Sequence, residues 1–140
     1  MMNIRPFEIE DQTAVIELWR ACALVVPWND PVKDIARKLK VDADLFLVGE
    51  SDGEIVATVM GGYEGHRGWI NYLAISPQHQ RKGYGRKIME FVERQIQLKG
   101  CPKINLQIRG TNTQATAFYQ AIGYDIENAI GLGKRLEPDN

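Results

Sequence analysis

Residues 73–86 read LAISPQHQRKGYGR, an apolar strand that runs through a glycine-bearing turn into a helix. Gly83 and Gly85 permit torsions and close approaches that a Cβ would block, so successive backbone amides can converge on phosphate oxygens at the helix N-terminus. The stretch therefore predicts a turn that binds a diphosphate, although similar turns also serve as plain connections. Positive charge at the same place comes from Arg81, Lys82 and Arg86.

Spacing argues against two common nucleotide-binding loops. A Walker loop needs GxxxxGK followed by Ser or Thr, and the chain has no such run, which disfavours ATP and GTP. The dinucleotide fingerprint GxGxxG needs a small residue where Ile88 stands, and the turn follows a mid-chain strand rather than a βαβ opening. NAD is therefore disfavoured as well.

Composition predicts one cytoplasmic domain over residues 1–140. The 17 Lys and Arg nearly balance the 18 Asp and Glu, so no global field attracts nucleic acid or an anionic membrane surface. The longest apolar run, residues 21–27, is far too short for a membrane span, and the N-terminus lacks the apolar region of a secretory signal. An anionic ligand would have to be bound by local positive groups.

The two cysteines, Cys22 and Cys101, lie far apart and form no CxxC pair, which argues against a zinc site or a disulfide framework. We interpret both as small buried apolar residues and expect no metal. A catalytic thiol would need a histidine partner, and the sequence does not show whether His66 or His79 approaches either cysteine.

Hydrophobic periodicity around the turn predicts an α/β fold. Asp11, Asp30 and Asn112 can each cap a helix, and the longest helix follows the turn. Residues 61–68 carry four glycines and are predicted to form a loop. The order of elements fits a mixed sheet with helices on its faces. The predicted strands are residues 4–7, 45–48, 55–60, 69–75, 104–108 and 130–136.

Residues 80–85, QRKGYG, resemble the Q/R-x-x-G-x-G/A motif of the GNAT acetyltransferases. The apolar strand before the turn, the Asn112 loop and residues 118–124, FYQAIGY, lie where that family has its other motifs. The resemblance covers nearly the whole chain. Three further segments resemble the small YpeA-like branch of the family: residues 27–31, 61–68 and 132–136.

The resemblance implies a single-domain GNAT-like fold: a mixed, mostly antiparallel sheet flanked by about four helices, in which a splayed parallel strand pair forms an acyl-CoA cleft. Acetyl-CoA would be the acyl donor. Its pantetheine arm would pair with the leading strand like an extra strand, and its pyrophosphate would bind the amides of the turn. The cofactor-binding residues implied are Leu73, Ala74, Ile75, Gln80, Arg81, Lys82, Gly83, Tyr84, Gly85, Arg86 and Asn112.

The implied activity is N-acyl transfer, in which a primary amine attacks the thioester directly and Tyr119 acts as general acid toward the leaving thiolate. Tyr119 also lies on the apolar stripe of its helix, and Asn112 also explains the start of that helix, so both have structural interpretations as well. The alternative function is a non-catalytic acyl-CoA-binding sensor or regulatory module.

The acceptor is predicted to be a small-molecule amine or a peptide N-terminus. Many relatives place a carboxylate on the strand before the turn, but residues 69–72 offer none, which leaves Glu64, His66 or a water chain as the base. A homodimer is compatible with the sequence, although no feature specifies one. The substrate-binding candidates are Trp28, Asn29, Tyr63 and His66.

Overall fold

The chain folds into a five-stranded sheet with helices packed on both faces. The computed structural model describes residues 1–139. No helix in that range is long and apolar enough to cross a membrane. In chain order the elements are β1 (Asn3–Pro6), α1 (Gln12–Ala21), α2 (Pro31–Lys38), β2 (Phe46–Ser51), β3 (Glu54–Tyr63), β4 (Gly68–Ile75), α3 (Tyr84–Leu98), β5 (Ile104–Leu106) and α4 (Thr113–Ala121).

The strands lie side by side in their chain order. The first four are antiparallel, whereas β4 and β5 run parallel, so the predicted α/β class and the mostly antiparallel sheet are confirmed. Asp52 and Gly53 connect β2 to β3 with φ values of 52° and 78°. Two consecutive positive φ values give the tight hairpin turn that the Asp-Gly pair predicts.

Alternate residues of β2 enter different layers of the core. Phe46 and Val48 pack on the face covered by α1, where Trp19 is fully buried. Leu47 points to the opposite face, which α3 covers with residues such as Ile88. The sheet is thus buried on both sides, which explains why its central strands are almost continuously apolar.

Two helix starts have the capping geometry predicted from the sequence. The Asp30 carboxylate accepts the amide of Val32 at 2.9 Å, and Pro31 occupies the first position of α2. The Asn112 side chain accepts the amide of Ala115 at 3.0 Å. Each interaction satisfies an amide that has no partner within its helix.

The prediction of a loop over residues 61–68 was wrong at both ends. β3 continues through Tyr63 and β4 begins at Gly68, which leaves only residues 64–67 as the connection. A Cβ on Gly61 would lie 2.7 Å from Val92 Cγ2, so this glycine lets α3 pack closely on the sheet. Gly61 therefore meets a packing requirement, whereas the prediction interpreted the run of glycines as a break in the strand.

The predicted last strand, residues 130–136, is absent: the described part of the chain contains no strand after α4. The alternation that suggested it is real, but the side chains of Ile130, Leu132 and Leu136 are 91%, 94% and 89% exposed. β5 ends at Leu106, so no adjacent strand offers backbone partners to this segment. Alternation alone cannot supply those hydrogen bonds.

Candidate active site

A gap in the sheet opens where β4 and β5 separate. The two strands pair only over Gly68–Ile70 and Ile104–Leu106, whereas β4 continues to Ile75. At Tyr72 the backbone adopts φ 51° and the register with β3 shifts, which marks a β-bulge. The bulge redirects β4 and leaves one edge of its second half without a strand partner.

The turn after β4 presents free backbone amides. Arg81 and Gly83 have φ values of 66° and 79°, and α3 begins at the next residue, Tyr84. Among residues 1–139, no hydrogen bond uses an amide of residues 81–86 as donor. Because these amides lie at the positive end of a 15-residue helix, the turn fits an anionic diphosphate.

Side chains hold this turn against both the strand and α4. Gln80 Nε2 donates to the carbonyl of Ile75 at 3.3 Å, which ties the turn back to the end of β4. A Cβ on Gly85 would lie 3.1 Å from the ring of Phe118, so this glycine permits close contact with α4. The two glycines thus have separate roles, since Gly83 supplies the positive φ.

A cavity of about 880 Å³ lies between α2, residues 69–73 of β4 and α4. Tyr119 contributes to its wall, and its ring packs edge-to-face against Phe118 and Tyr124 at centroid distances of 5.2 and 5.6 Å. Within residues 1–139 its hydroxyl has no hydrogen-bond partner. Burial raises the pKa of Tyr119 to about 12, so the phenol stays protonated at neutral pH.

Several predicted site residues meet at this cavity, and others do not. Leu73 and Asn112 line it beside Tyr119, and so do the acceptor candidates Asn29 and Tyr63. His66 lies on the exposed turn of residues 64–67 and does not line the cavity. Trp28 lies outside the cavity wall and is 55% exposed, with the Arg109 guanidinium 5.4 Å from its ring centre.

Glu64 also lines the cavity, but its carboxylate is bound within its own turn. It accepts the amides of Arg67, at 2.8 Å, and of His66. These two amides hold the pKa of Glu64 below its usual range. As a base, Glu64 would therefore be weaker than an ordinary glutamate.

A carboxylate missed by the sequence analysis reaches β4 from α2. The Tyr72 hydroxyl donates to Asp34 Oδ2 at 2.7 Å, and both residues line the cavity. Burial, together with the hydrogen bond to Asp34, raises the pKa of Tyr72. Trp19 stacks on the Tyr72 ring at 3.8 Å and fixes its position. No local sequence signal connects position 34 with residues 69–72, because the two segments meet only in the folded chain.

Cys22 lies in the cavity wall, whereas Cys101 is buried elsewhere. Both are free thiols. Cys22 Sγ donates to the carbonyl of Ile75 at 3.2 Å, and burial raises the pKa of this thiol. A thiol that remains protonated is a poor nucleophile, so its contact with the end of β4 is structural.

The sequence matches the model of the "Acetyltransferase (GNAT) family" over residues 13–124. An acetyltransferase of Pectobacterium atrosepticum is 46% identical over 138 residues, which cover 99% of this chain and 98% of the relative. The chain belongs to the GNAT acetyltransferase family, as the motif around Gly83 and Gly85 predicted.

Two solved structures share the fold at low sequence identity. AAC(6')-Iy, in complex with the bisubstrate analogue CoA-S-monomethyl-acetylneamine, has a TM-score of 0.78 and 19% identity, with 96% of this chain and 99% of that chain covered. The PaiA N-acetyltransferase of Thermoplasma acidophilum, in complex with coenzyme A, has a TM-score of 0.73 and 18% identity, with 94% of each chain covered.

Proposed function

We propose that the protein transfers an acetyl group from acetyl-CoA to a primary amine. One observation carries the proposal: the free amides of residues 81–86 directly follow β4, one edge of which is open beyond Ile70, and the unpartnered Tyr119 hydroxyl belongs to a residue that lines the cavity together with Leu73 of that strand. Both solved relatives named above have CoA or a CoA derivative bound, which supports the same donor here.

The turn and the strand edge would position the donor. The amides of residues 81–86 suit the diphosphate, and Arg81 and Lys82, which form no ion pair within residues 1–139, add positive charge. Leu73, Ala74 and Ile75 offer a backbone edge to the pantetheine amides. This arrangement directs the thioester toward the cavity.

In the reaction, the neutral amine attacks the thioester carbonyl carbon, a C–N bond forms and the C–S bond breaks. The Tyr119 hydroxyl donates its proton, or a hydrogen bond, to the departing thiolate sulfur, and the proton that the attacking nitrogen loses as it becomes an amide passes to water or returns to the Tyr119 oxygen. Backbone N–H groups of Leu73 to Ile75 steady the carbonyl oxygen as it gains negative charge. No covalent bond to the protein is needed.

The acceptor has to lose a proton before it attacks. Asp34 and Glu64 are carboxylates of the cavity wall that can accept this proton directly or through water. Glu64 is the weaker base because two amides stabilise its charged form. The exposed position of His66 favours the carboxylates over the imidazole.

The test is to incubate the protein with acetyl-CoA and a library of amines and to measure the release of free CoA thiol. We expect release that depends on particular amines, together with an acetylated product detected by mass spectrometry. Calorimetry with CoA, run in parallel, reports donor binding. Binding without release for any amine would favour an acyl-CoA sensor, and no binding at millimolar CoA would contradict both functions.

A further inference from the structure

The cavity wall carries six charged side chains, and they are not equally neutralised. Some of these side chains are already paired with other groups of the protein, and others are not. The carboxylates are Asp34, Asp42 and Glu64, and the cations are Arg37, Lys38 and Arg109.

All three carboxylates are occupied by groups of the protein. Asp34 accepts the Tyr72 hydroxyl at 2.7 Å, and Glu64 accepts two amides of its own turn. Asp42 accepts a backbone amide at 3.2 Å and lies 3.7 Å from Lys99 Nζ. The cavity therefore lacks a free negative patch that would attract a polycation.

Two of the three cations, Lys38 and Arg109, have no carboxylate partner within the described residues. Arg37 pairs with Asp139 at 2.9 Å, but Lys38 Nζ donates only to the carbonyl of Gly61. The Arg109 guanidinium lies over the indole ring of Trp28 and, among residues 1–139, donates no hydrogen bond. Over residues 1–139, neither Lys38 nor Arg109 has a carboxylate within 4 Å.

Lys38 is the more costly of these two charges to leave unpaired. Its side chain is partly buried at the end of α2, and desolvation lowers its pKa more than the distant carboxylates of Asp42 and Asp44 raise it. An ammonium group has three donors, and one of them is used by Gly61. Two donors remain for a ligand that restores the missing negative charge.

We infer that Lys38 binds an anionic group of the acceptor, so that the substrate is an amine that also carries a carboxylate or a phosphate. This inference rests on the proposed function, because it names the acceptor of the same site. Arg109, with five free N–H donors, offers a second contact to the same class of molecule.

The donor's own diphosphate cannot account for the charge on Lys38. Lys38 contacts Gly61, which pairs with Ile70 near the start of β4, whereas the diphosphate turn follows Ile75. Five strand residues separate these points, which is about 16 Å at roughly 3.3 Å per residue. Lys38 therefore lies in the cavity wall far from the turn, whose residues do not line the cavity.

Matched amines test the inference. Glycine and phenylalanine would each be compared with their amides, and aminoethyl phosphate with ethanolamine, as acceptors of the acetyl group. We expect kcat/KM for the anionic member of at least one pair to be roughly tenfold higher or more. An amino acid amide has the less basic amine, so a preference for the acid cannot come from a larger free-amine fraction.

The variant Lys38→Met removes the charge and keeps a long side chain with high helix propensity. It should abolish the preference by lowering the rate on the anionic member far more than the rate on the neutral member. Lys40→Met is the matched control, because Lys40 is exposed in the turn just after α2 and does not line the cavity. It should keep the wild-type preference.

Calorimetry provides a readout that needs no turnover. The protein saturated with CoA would be titrated with N-acetylglycine, N-acetylphenylalanine and N-acetylaminoethyl phosphate, and with the neutral counterpart of each. We expect anionic members to bind more tightly, and Lys38→Met to lose that difference.

The outcomes separate this inference from the proposed function. If cationic or neutral amines are acetylated best, acetyl transfer stands and the anion site is overturned. If no amine is acetylated but the anionic compounds bind through Lys38, the anion site stands and the transfer fails. Absence of binding by every anionic compound at millimolar concentration, or an unchanged preference in Lys38→Met, overturns the inference.

Discussion

The Tyr119 hydroxyl faces a cavity in which, over residues 1–139, it has no hydrogen-bond partner. Tyr119 is partly buried, and its phenol stays protonated at neutral pH because burial raises its pKa to about 12. Such a group is suited to donate to a thiolate that appears only during the reaction. Its position explains why the structural interpretation, a core tyrosine with a satisfied hydroxyl, does not describe it.

We predict that Tyr119→Phe lowers kcat about a hundredfold or more, while the Kd for CoA changes little. The substitution removes only the hydroxyl and keeps the ring contacts with Phe118 and Tyr124. Steady-state kinetics and calorimetry measure the two effects separately.

Tyr124→Phe is the matched control for that experiment. Its ring lies 5.6 Å from that of Tyr119, and its hydroxyl donates to Glu93 at 2.6 Å outside the cavity. This variant should lose about 1 kcal/mol of stability and retain turnover. Equal loss of turnover in both variants, or none in Tyr119→Phe, would contradict the acid role.

At the scale of elements, the turn that begins α3 needs a positive φ at Gly83, where a Cβ would meet no neighbouring atom. We predict that Gly83→Ala destabilises the turn by about 1 to 2 kcal/mol and weakens CoA binding about tenfold, because the amides shift. Urea unfolding and calorimetry report the two quantities.

Gly53→Ala controls for the backbone cost alone. Gly53 has φ 78°, against 79° for Gly83, and it also has open space around its Cα. It lies in the β2–β3 hairpin turn, so the same loss of stability should leave CoA affinity unchanged. A similar fall in affinity in both variants would show that general destabilisation, rather than the turn, causes the effect.

The contact of α3 with β3 depends on a missing side chain. We predict that Gly61→Ala lowers the free energy of unfolding by about 1 to 3 kcal/mol, since the new Cβ would lie 2.7 Å from Val92 Cγ2 and 3.0 Å from Ile96 Cδ1. Urea denaturation measures the change.

The variant Gly62→Ala is the control for Gly61→Ala. A Cβ on Gly62 would meet Lys38 Nζ at 3.6 Å, an ordinary contact, so Gly62→Ala should be close to neutral in stability. A destabilisation of the same size at Gly62 would mean that strand geometry, and not packing under α3, requires glycine here.

At the scale of the whole molecule, the C-terminal segment is attached to the start of α2. Asp139 accepts the amide of Asp30 at 2.7 Å and pairs with Arg37 at 2.9 Å. Lys33 Nζ donates to the carbonyl of Asp139 at 2.7 Å. These contacts join residues more than a hundred positions apart, and Arg37 continues them to Asp34 in the cavity wall at 3.5 Å.

We predict that Asp139→Asn lowers the midpoint of thermal unfolding at pH 7 and that this difference disappears in acid. The amide of Asp30, and then Arg37, hold the pKa of Asp139 below its ordinary value of 3.8. The stabilisation is therefore complete above that value and is lost as the pH falls through the lower pKa of the folded state.

Calorimetric scans from pH 7 down to about pH 2, which extend well below the ordinary pKa of a carboxylate, test this dependence. Glu137→Gln removes a carboxylate from the same segment that forms no ion pair among residues 1–139, and it should follow the wild type. A difference between Asp139→Asn and wild type that persists in acid would show that the charge is not its source.

Local sequence patterns were sufficient to predict several turns and helix starts, including the turn that carries the family motif. The turn at Gly83, the capping of α2 and α4 by Asp30 and Asn112, and the Asp52-Gly53 hairpin all follow from hydrogen bonds and torsions within a few residues. Such interactions are complete before the chain makes any distant contact, which is why the sequence predicts them.

The remaining features could not be predicted from the sequence, because the residues that interact are far apart along the chain. Gly61 is needed in β3 because α3 packs directly on it, and residues 130–136 have no adjacent strand to pair with because β5 ends at Leu106. Asp34 reaches Tyr72, and Lys38 remains without a carboxylate, only once α2 lies over the sheet. Which charges are paired is a property of tertiary packing, and the proposal that the acceptor carries an anionic group depends on that pairing.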